Sequence, residues 1–299
     1  MRIAIAGSSG LIGTALRDAL TQRGDEVIRL VRRAASTADE VSWDPAGGEL
    51  DPAALQGVSA VVNLAGAGIG DKRWTAAYKR TLVDSRVDST STIVDALVRL
   101  GEPVRLVNGS AMGYYGDRGE ETVDEESAPG TGFLVDLVQA WEAATTPASA
   151  AGLPVAFART GLVLSPDGGL MDRVLPLAKL GLAGPLGNGR QWWSWISLVD
   201  EVRALVHLLD HAEITGPVNL AVPVASAVRQ RDAMHALGRA LHRPSFLPAP
   251  SPALKVVLGE LAGDVLASTR MAPTALQDSG FDWTHTDIDD AMRYAAGLS

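Results

Sequence analysis

Ile3-Ala4-Ile5-Ala6-Gly7-Ser8-Ser9-Gly10-Leu11-Ile12-Gly13 is the stretch that decides the fold. Four apolar residues closed by a glycine have the pattern of a strand buried on both faces of a parallel sheet. Residues 11–22 then place Leu11, Ile12, Ala15, Leu16, Ala19 and Leu20 at helical spacing, and Gly24 stands where such a helix should end. The three glycines have separate tasks. Gly7 permits a tight turn, Gly10 lets the backbone approach a pyrophosphate, and Gly13 lets the helix pack close to the sheet. The helix N-terminus then offers its N–H groups to the phosphates. A glycine turn that binds nothing is the bland alternative. The strand before the motif, the helix after it and the next strand all weigh against it.

Working outward, apolar runs at 27–31, 41–43, 58–64, 104–108 and 155–159 read as further strands. Amphipathic stretches at 74–100 and 133–151 read as helices between them. Strands separated by helices predict an α/β fold, a doubly wound parallel sheet of the Rossmann type. From 166 to 189 the chain is rich in Gly and Pro; a helix at 198–211, a strand at 218–220 and short helical stretches up to 296 follow. We expect a dinucleotide-binding domain over 1–165. We expect a smaller, mostly helical C-terminal lobe over 166–299, with about 198–225 returning to the first domain.

The end of the second strand selects the cofactor. An NAD site carries Asp or Glu there, about 20 residues beyond the glycines, to hold the ribose 2′-hydroxyl. This chain reads Ile28-Arg29-Leu30-Val31-Arg32-Arg33, with no carboxylate at that place. Guanidinium forks suit a 2′-phosphate. Arg32 first and Arg33 second are therefore assigned to the phosphate of NADP(H); a solvated basic turn is the alternative. Asn63-Leu64-Ala65-Gly66 ends the next clear strand, where small residues let a ligand lie along the strand end.

Composition narrows the function classes. The 299 residues are 46% hydrophobic and 20% charged, with a net charge of −9 and no basic stripe, so nucleic acid is not an expected partner. Cysteine is absent, which excludes disulfides, thiol nucleophiles and thiolate metal sites and agrees with a cytoplasmic location. No apolar run reaches the roughly 18 residues of a membrane span. His207 and His211 share a helix face without a third ligand, so no metal site is expected.

The chain resembles the extended short-chain dehydrogenase/reductases. Within them it is similar to an atypical branch often labelled nucleoside-diphosphate-sugar epimerase-like, with its own C-terminal extension. The resemblance covers nearly the whole chain. It rests on the glycine motif, Asn63 to Gly66, Ser85-Arg86, Ser110-Ala111-Met112-Gly113-Tyr114-Tyr115-Gly116, Trp141-Glu142-Ala143-Ala144 and Arg159-Thr160-Gly161-Leu162-Val163-Leu164. It continues from Gly187 through Trp195-Ile196 and from Pro248 to Phe281. The resemblance implies cofactor contacts at Ser9, Gly10, Leu11 and Ile12 for pyrophosphate and Arg32 for the 2′-phosphate. It also implies Leu64 and Ala65 for adenosine, and Arg86 and Arg159 elsewhere on the dinucleotide. It implies a small-molecule substrate, and a homodimer through the long helices at 74–100 and 133–151.

The catalytic pair of that group is missing. Such enzymes use a Tyr four residues before a Lys, the Tyr exchanging a proton with the substrate oxygen while hydride moves. The four tyrosines are followed at that distance by Leu82, Arg118, Gly119 and Leu298. Counting back from Glu142, the pair falls on Leu134 and Val138, both apolar. Ser110 matches the family serine, and Tyr115, then Tyr114, are the candidate proton donors; ring packing is the alternative for both, and backbone capping for Ser110. In Trp192-Trp193-Ser194-Trp195, alternation puts Trp193 and Trp195 on one face and Trp192 on the other, as a cleft wall or as core. Two functions follow: an NADP(H)-dependent oxidoreductase or epimerase on a small polar or nucleotide-linked substrate, or an NADP(H)-sensing protein without turnover.

Overall fold

The computed structural model describes residues 1–298. Its main sheet has seven strands: β1 (Arg2–Ala6), β2 (Glu26–Val31), β3 (Glu40–Ser42), β4 (Ala60–Asn63), β5 (Arg105–Ala111), β6 (Val155–Thr160) and β7 (Gly216–Leu220). Their order is β7-β6-β5-β4-β1-β2-β3, and the pairings among β1 to β5 are parallel. The order reverses at β1, with β2 on one side and β4 on the other. That is the switch point where doubly wound sheets bind ligands, beyond the carboxyl ends of the strands. Register puts Ala6 opposite both Leu30 and Asn63, so the glycine turn, Arg32 and Leu64 all leave the sheet at this edge.

Burial explains why the strands read as unbroken apolar runs. Ile3, Ala4, Ile5, Ala6, Val61 and Val62 have no exposed surface, as both faces of the sheet are covered. Helix α1 (Leu11–Arg23) ends at Gly24, whose φ of 91° is left-handed, a conformation glycine adopts at little cost. Helix α2 (Ala76–Leu100) starts at Thr75, whose hydroxyl accepts the Tyr78 N–H. The helix expected over 133–151 is two helices, α3 (Phe133–Ala143) and α4 (Thr146–Ala150). Pro147 lies in the first turn of the second, where its missing N–H is harmless; inside one long helix it would be costly.

The chain forms two compact units. The first comprises Met1–Ala111, Asp136–Arg159 and Val202–Val218; the second comprises Met112–Val135, Thr160–Glu201 and Asn219–Ser299. Segment 202–218 lies in the first unit, within the 198–225 stretch expected to return there, whereas segment 112–135, expected in the first domain, lies in the second. Within the second unit, short strands pair: Trp195–Ser197 with Leu162–Leu164, and Trp192–Trp193 with Val228–Arg229. Its core holds Trp193 and Trp195 together with Leu164, Val222, Met234 and Leu237. The alternation of the tryptophan run is therefore core packing for these two rings, while Trp192 lies under the Arg229 guanidinium at 3.7 Å. No helix among the described residues is long and apolar enough to cross a membrane.

Candidate dinucleotide site and the groups around it

Neither Gly7 nor Gly13 has room for a side chain. Gly7 has a φ of 79°, and a Cβ there would lie 2.6 Å from the Leu64 carbonyl oxygen. A Cβ on Gly13 would lie 2.1 Å from the Gly7 carbonyl oxygen. Gly10 N–H donates to Gly7 O at 3.0 Å and closes the turn. Gly10 itself is exposed, with extended backbone, and caps α1 without a side-chain hydrogen bond. The first turn of α1 carries no acidic residue. An uncapped helix N-terminus of this kind leaves N–H donors for an anion. The residues present fit a dinucleotide pyrophosphate: glycine where a Cβ would intrude, and donors at Leu11 and Ile12 without a protein acceptor's cap.

Beyond β2 the two arginines separate. Arg33 gives Nη1 and Nη2 to the Glu40 carboxylate at 2.7 and 2.6 Å. Those bonds, with the Ser36 N–H, hold Glu40 well below the usual carboxylate range. Arg32 is exposed and makes no hydrogen bond or ion pair among the described residues. It borders a cleft of about 640 Å³ that also includes Ser42, Trp43 and Asp44. Of the two arginines assigned to the 2′-phosphate, Arg33 is therefore held by a protein carboxylate.

Under the strand ends lies a closed polar network. Asn63 Nδ2 donates to Thr90 Oγ1 at 3.0 Å and Asn108 Oδ1 at 2.9 Å, while Asn63 Oδ1 accepts the Ala65 N–H. Trp141 Nε1 donates to the same Thr90 oxygen. Asn63 therefore shapes the Leu64-Ala65-Gly66 bend rather than meeting a ligand. Arg86 is buried, with one hydrogen bond to the Leu82 carbonyl and its guanidinium 5.1 Å from the Trp141 ring centre. A Cβ on Gly66 would come within 3.0 Å of that guanidinium, so Arg86 sits directly against the bend. Burial lowers its pKa to about 10, and no carboxylate pairs with it among the described residues.

The expected catalytic residues divide. Ser110, on β5, donates to Glu142 Oε1 at 2.6 Å, so its hydroxyl serves a side chain and not the backbone. Arg159, expected on the dinucleotide, binds both oxygens of Glu142 at 2.8 and 2.9 Å and is 3% exposed. Glu142 lies one turn beyond Val138 on α3. The position of the family lysine is thus apolar and buried, and the next residue on that face carries the opposite charge. Sequence reasoning used Glu142 only as an anchor for counting; its spacing from Val138 was the available signal.

Tyr115 has no exposed surface, and its hydroxyl donates to Asn219 Oδ1 at 2.7 Å. Its ring packs with Val123, Ala221 and Met271, edge-on to Tyr114. The ranking of Tyr115 ahead of Tyr114 as proton donor reverses on these grounds, since a sealed, committed hydroxyl cannot meet a substrate. Tyr114 is half-buried. In the second unit, Ser197, Asp200 and His285 also meet, with His285 Nδ1 3.0 Å from Ser197 Oγ. They are not a nucleophilic triad. Ser197 is fully buried, and its Oγ accepts the Asp200 N–H as the cap of helix Leu198–Asp210. His207 and His211 stack at 4.2 Å, and no group of three or more ligating side chains is placed for a metal among the described residues.

The profile described as "NAD dependent epimerase/dehydratase family" matches residues 3–221. The chain belongs to the NAD dependent epimerase/dehydratase family. A domain of unknown function, DUF1731, matches residues 249–295, the C-terminal extension anticipated above. An epimerase family protein of Mycobacterium tuberculosis is 46% identical over 294 residues, covering 98% of this chain and 97% of the relative. The crystal structure of human epimerase family protein SDR39U1 with NADPH superposes with a TM-score of 0.90 at 29% identity, covering 99% of both chains. A nucleoside-diphosphate sugar epimerase structure from Corynebacterium glutamicum gives 0.80 at 34% identity, covering 99% of this chain and 58% of that one.

Proposed function

We propose that this chain is an NADP(H)-binding oxidoreductase or epimerase-like enzyme of its family, acting on a small polar or nucleotide-linked substrate. The observation that carries the reading is the uncapped N-terminus of α1 over the glycine turn, at the same sheet edge as an unpaired Arg32. Ser9 to Ile12 hold the pyrophosphate through backbone N–H groups, and Arg32 takes the 2′-phosphate. Leu64, Ala65 and Gly66 flank the adenosine side, with Arg86 behind them. The NADPH in the human SDR39U1 structure supports the same cofactor here. The bound nicotinamide would supply the carbon that gives or takes hydride, and Ser110 is the residue that would face the substrate.

A second reading, cofactor sensing without turnover, is favoured by the apolar Val138 and the sealed Tyr115. Deuteride transfer separates the two. NADPH deuterated at C4 is incubated with the protein and a metabolite extract, and products are searched for mass gain. Turnover predicts at least one metabolite that acquires deuterium with wild type and not with Ser110→Ala. No labelled product, with NADPH bound, leaves the sensing reading.

A further inference from the structure

The hydroxyl of Ser110 has one proton, and the structure leaves it one acceptor. Ser110 Oγ lies 2.6 Å from Glu142 Oε1. The same Oε1 takes the Arg159 Nε–H at 2.8 Å, and Oε2 takes the Arg159 Nη2–H at 2.9 Å. A carboxylate oxygen has two lone pairs for such bonds, and both on Oε1 are used. Arg159 holds both oxygens as an ion pair, and a carboxylate accepts hydrogen bonds but has none to donate. Ser110 is therefore the donor. Its proton is spent inside the protein, and Oγ presents only lone pairs outward.

We propose that Glu142 is a positioning residue that fixes Ser110 as a hydrogen-bond acceptor, so that the ligand atom meeting Ser110 is a donor, the hydroxyl of an alcohol. This rests on the reading above that Ser110 faces the substrate. It names the form in which substrate is bound: the oxidisable alcohol, with its O–H directed at Ser110 Oγ. A carbonyl oxygen at the same place would set lone pair against lone pair. The arrangement is the reverse of a tyrosine or serine that donates to a carbonyl, and it follows from the charge found beyond Val138.

The three groups are well enough shielded to hold this polarity. Ser110 is 5% exposed, and the side chains of Glu142 and Arg159 are 11% and 3% exposed. Water has little access to compete for the carboxylate. Turning the Ser110 proton outward would leave a hydroxyl oxygen and a carboxylate oxygen facing each other at hydrogen-bond distance with nothing between them, which is costly in a buried site.

Neutron diffraction from a deuterium-exchanged crystal of the protein with NADP⁺ tests this directly. The expected map has a deuteron on the Ser110 Oγ–Glu142 Oε1 line and none on Glu142. A deuteron on Glu142 directed at Ser110 overturns the proposal, because Ser110 would then be free to donate. The same map separates this failure from failure of the functional reading: a nicotinamide ring remote from Ser110 sinks that reading, and the substrate inference with it. In Glu142→Ala the Ser110 deuteron has no acceptor on this line and is expected to turn away from it, with thermal unfolding reporting whether the fold withstands the loss of the Arg159 partner. In solution, saturation-transfer NMR with cyclohexanol and cyclohexanone on the NADP⁺ complex should favour the alcohol about tenfold. The ratio should shrink toward one in Glu142→Ala. A ketone bound as well as the alcohol by wild type contradicts the assignment.

Discussion

Gly13→Ala is expected to lower NADPH affinity at least ~100-fold, about 2.7 kcal/mol, and to lower the melting temperature. The cause is backbone contact. The new Cβ would lie 2.1 Å from Gly7 O and 2.9 Å from both Gly7 C and Ser8 Cα, none of which can rotate away. Helix α1 must move off the turn, and it takes the Leu11 and Ile12 N–H groups with it. Overpacking of this kind costs about 1–3 kcal/mol of stability, sometimes more. Gly10→Ala provides the contrast. Its Cβ meets only Gly7 O at 3.4 Å, and its backbone is ordinary extended chain with a φ of −76°. It should keep the melting temperature within a degree or two and still lose affinity, because the methyl group intrudes on the pyrophosphate alone. Equal losses of stability in the two variants, measured by thermal unfolding alongside NADPH titration, would contradict this division.

Glu201→Gln is expected to stabilise the protein at neutral and alkaline pH. Glu201 has no exposed surface; Oε1 accepts the Thr160 hydroxyl at 2.8 Å, and Oε2 is buried without a partner among the described residues. Burial pushes its pKa from the ordinary 4.5 to about 8, with the Thr160 bond offsetting only part. The folded state therefore holds a proton that the unfolded state has lost. Where the native state binds more protons, stability falls as pH rises. The contribution of Glu201 is most favourable below pH 4.5, declines between pH 4.5 and 8, and is a constant penalty above. The full penalty is on the order of 3–5 kcal/mol. Glutamine keeps the Thr160 bond and has no charge to form. The difference in unfolding free energy, variant minus wild type, should rise across pH 4.5–8 and level off beyond. A flat difference across that window would mean that Glu201 is not desolvated as described.

Local signals carried the fold and the cofactor turn. The strand, the glycines and the helix of the first unit are contiguous, so their spacing encodes their geometry. The order of β1, β2 and β4 follows from short connections. What the sequence concealed depends on partners far along the chain. Arg32 and Arg33 look alike until Glu40, in the next strand, is seen to hold one of them. Ser110 and Glu142 are 32 residues apart, and Glu142 and Arg159 are 17 apart. Burial of Tyr115 is fixed by Asn219, 104 residues later. The place of 112–135 in the second unit was hidden for the same reason, since contact, and not chain order, assigns it there. The break in the helix over 133–151, by contrast, is legible at Pro147, although apolar spacing continues through it.

Binding of the dinucleotide with its 2′-phosphate on Arg32 is the claim on which the rest depends. It is tested most directly by fluorescence titration of NADPH and NADH against wild type and Arg32→Ala. A charge-assisted bond to a phosphate contributes about 1.5–3 kcal/mol. Wild type should therefore bind NADPH at least tenfold more tightly than NADH, and Arg32→Ala should lose that preference while NADH affinity stays within about twofold, well under 1 kcal/mol. Equal affinity of wild type for the two nucleotides, or no binding of either, would contradict the account.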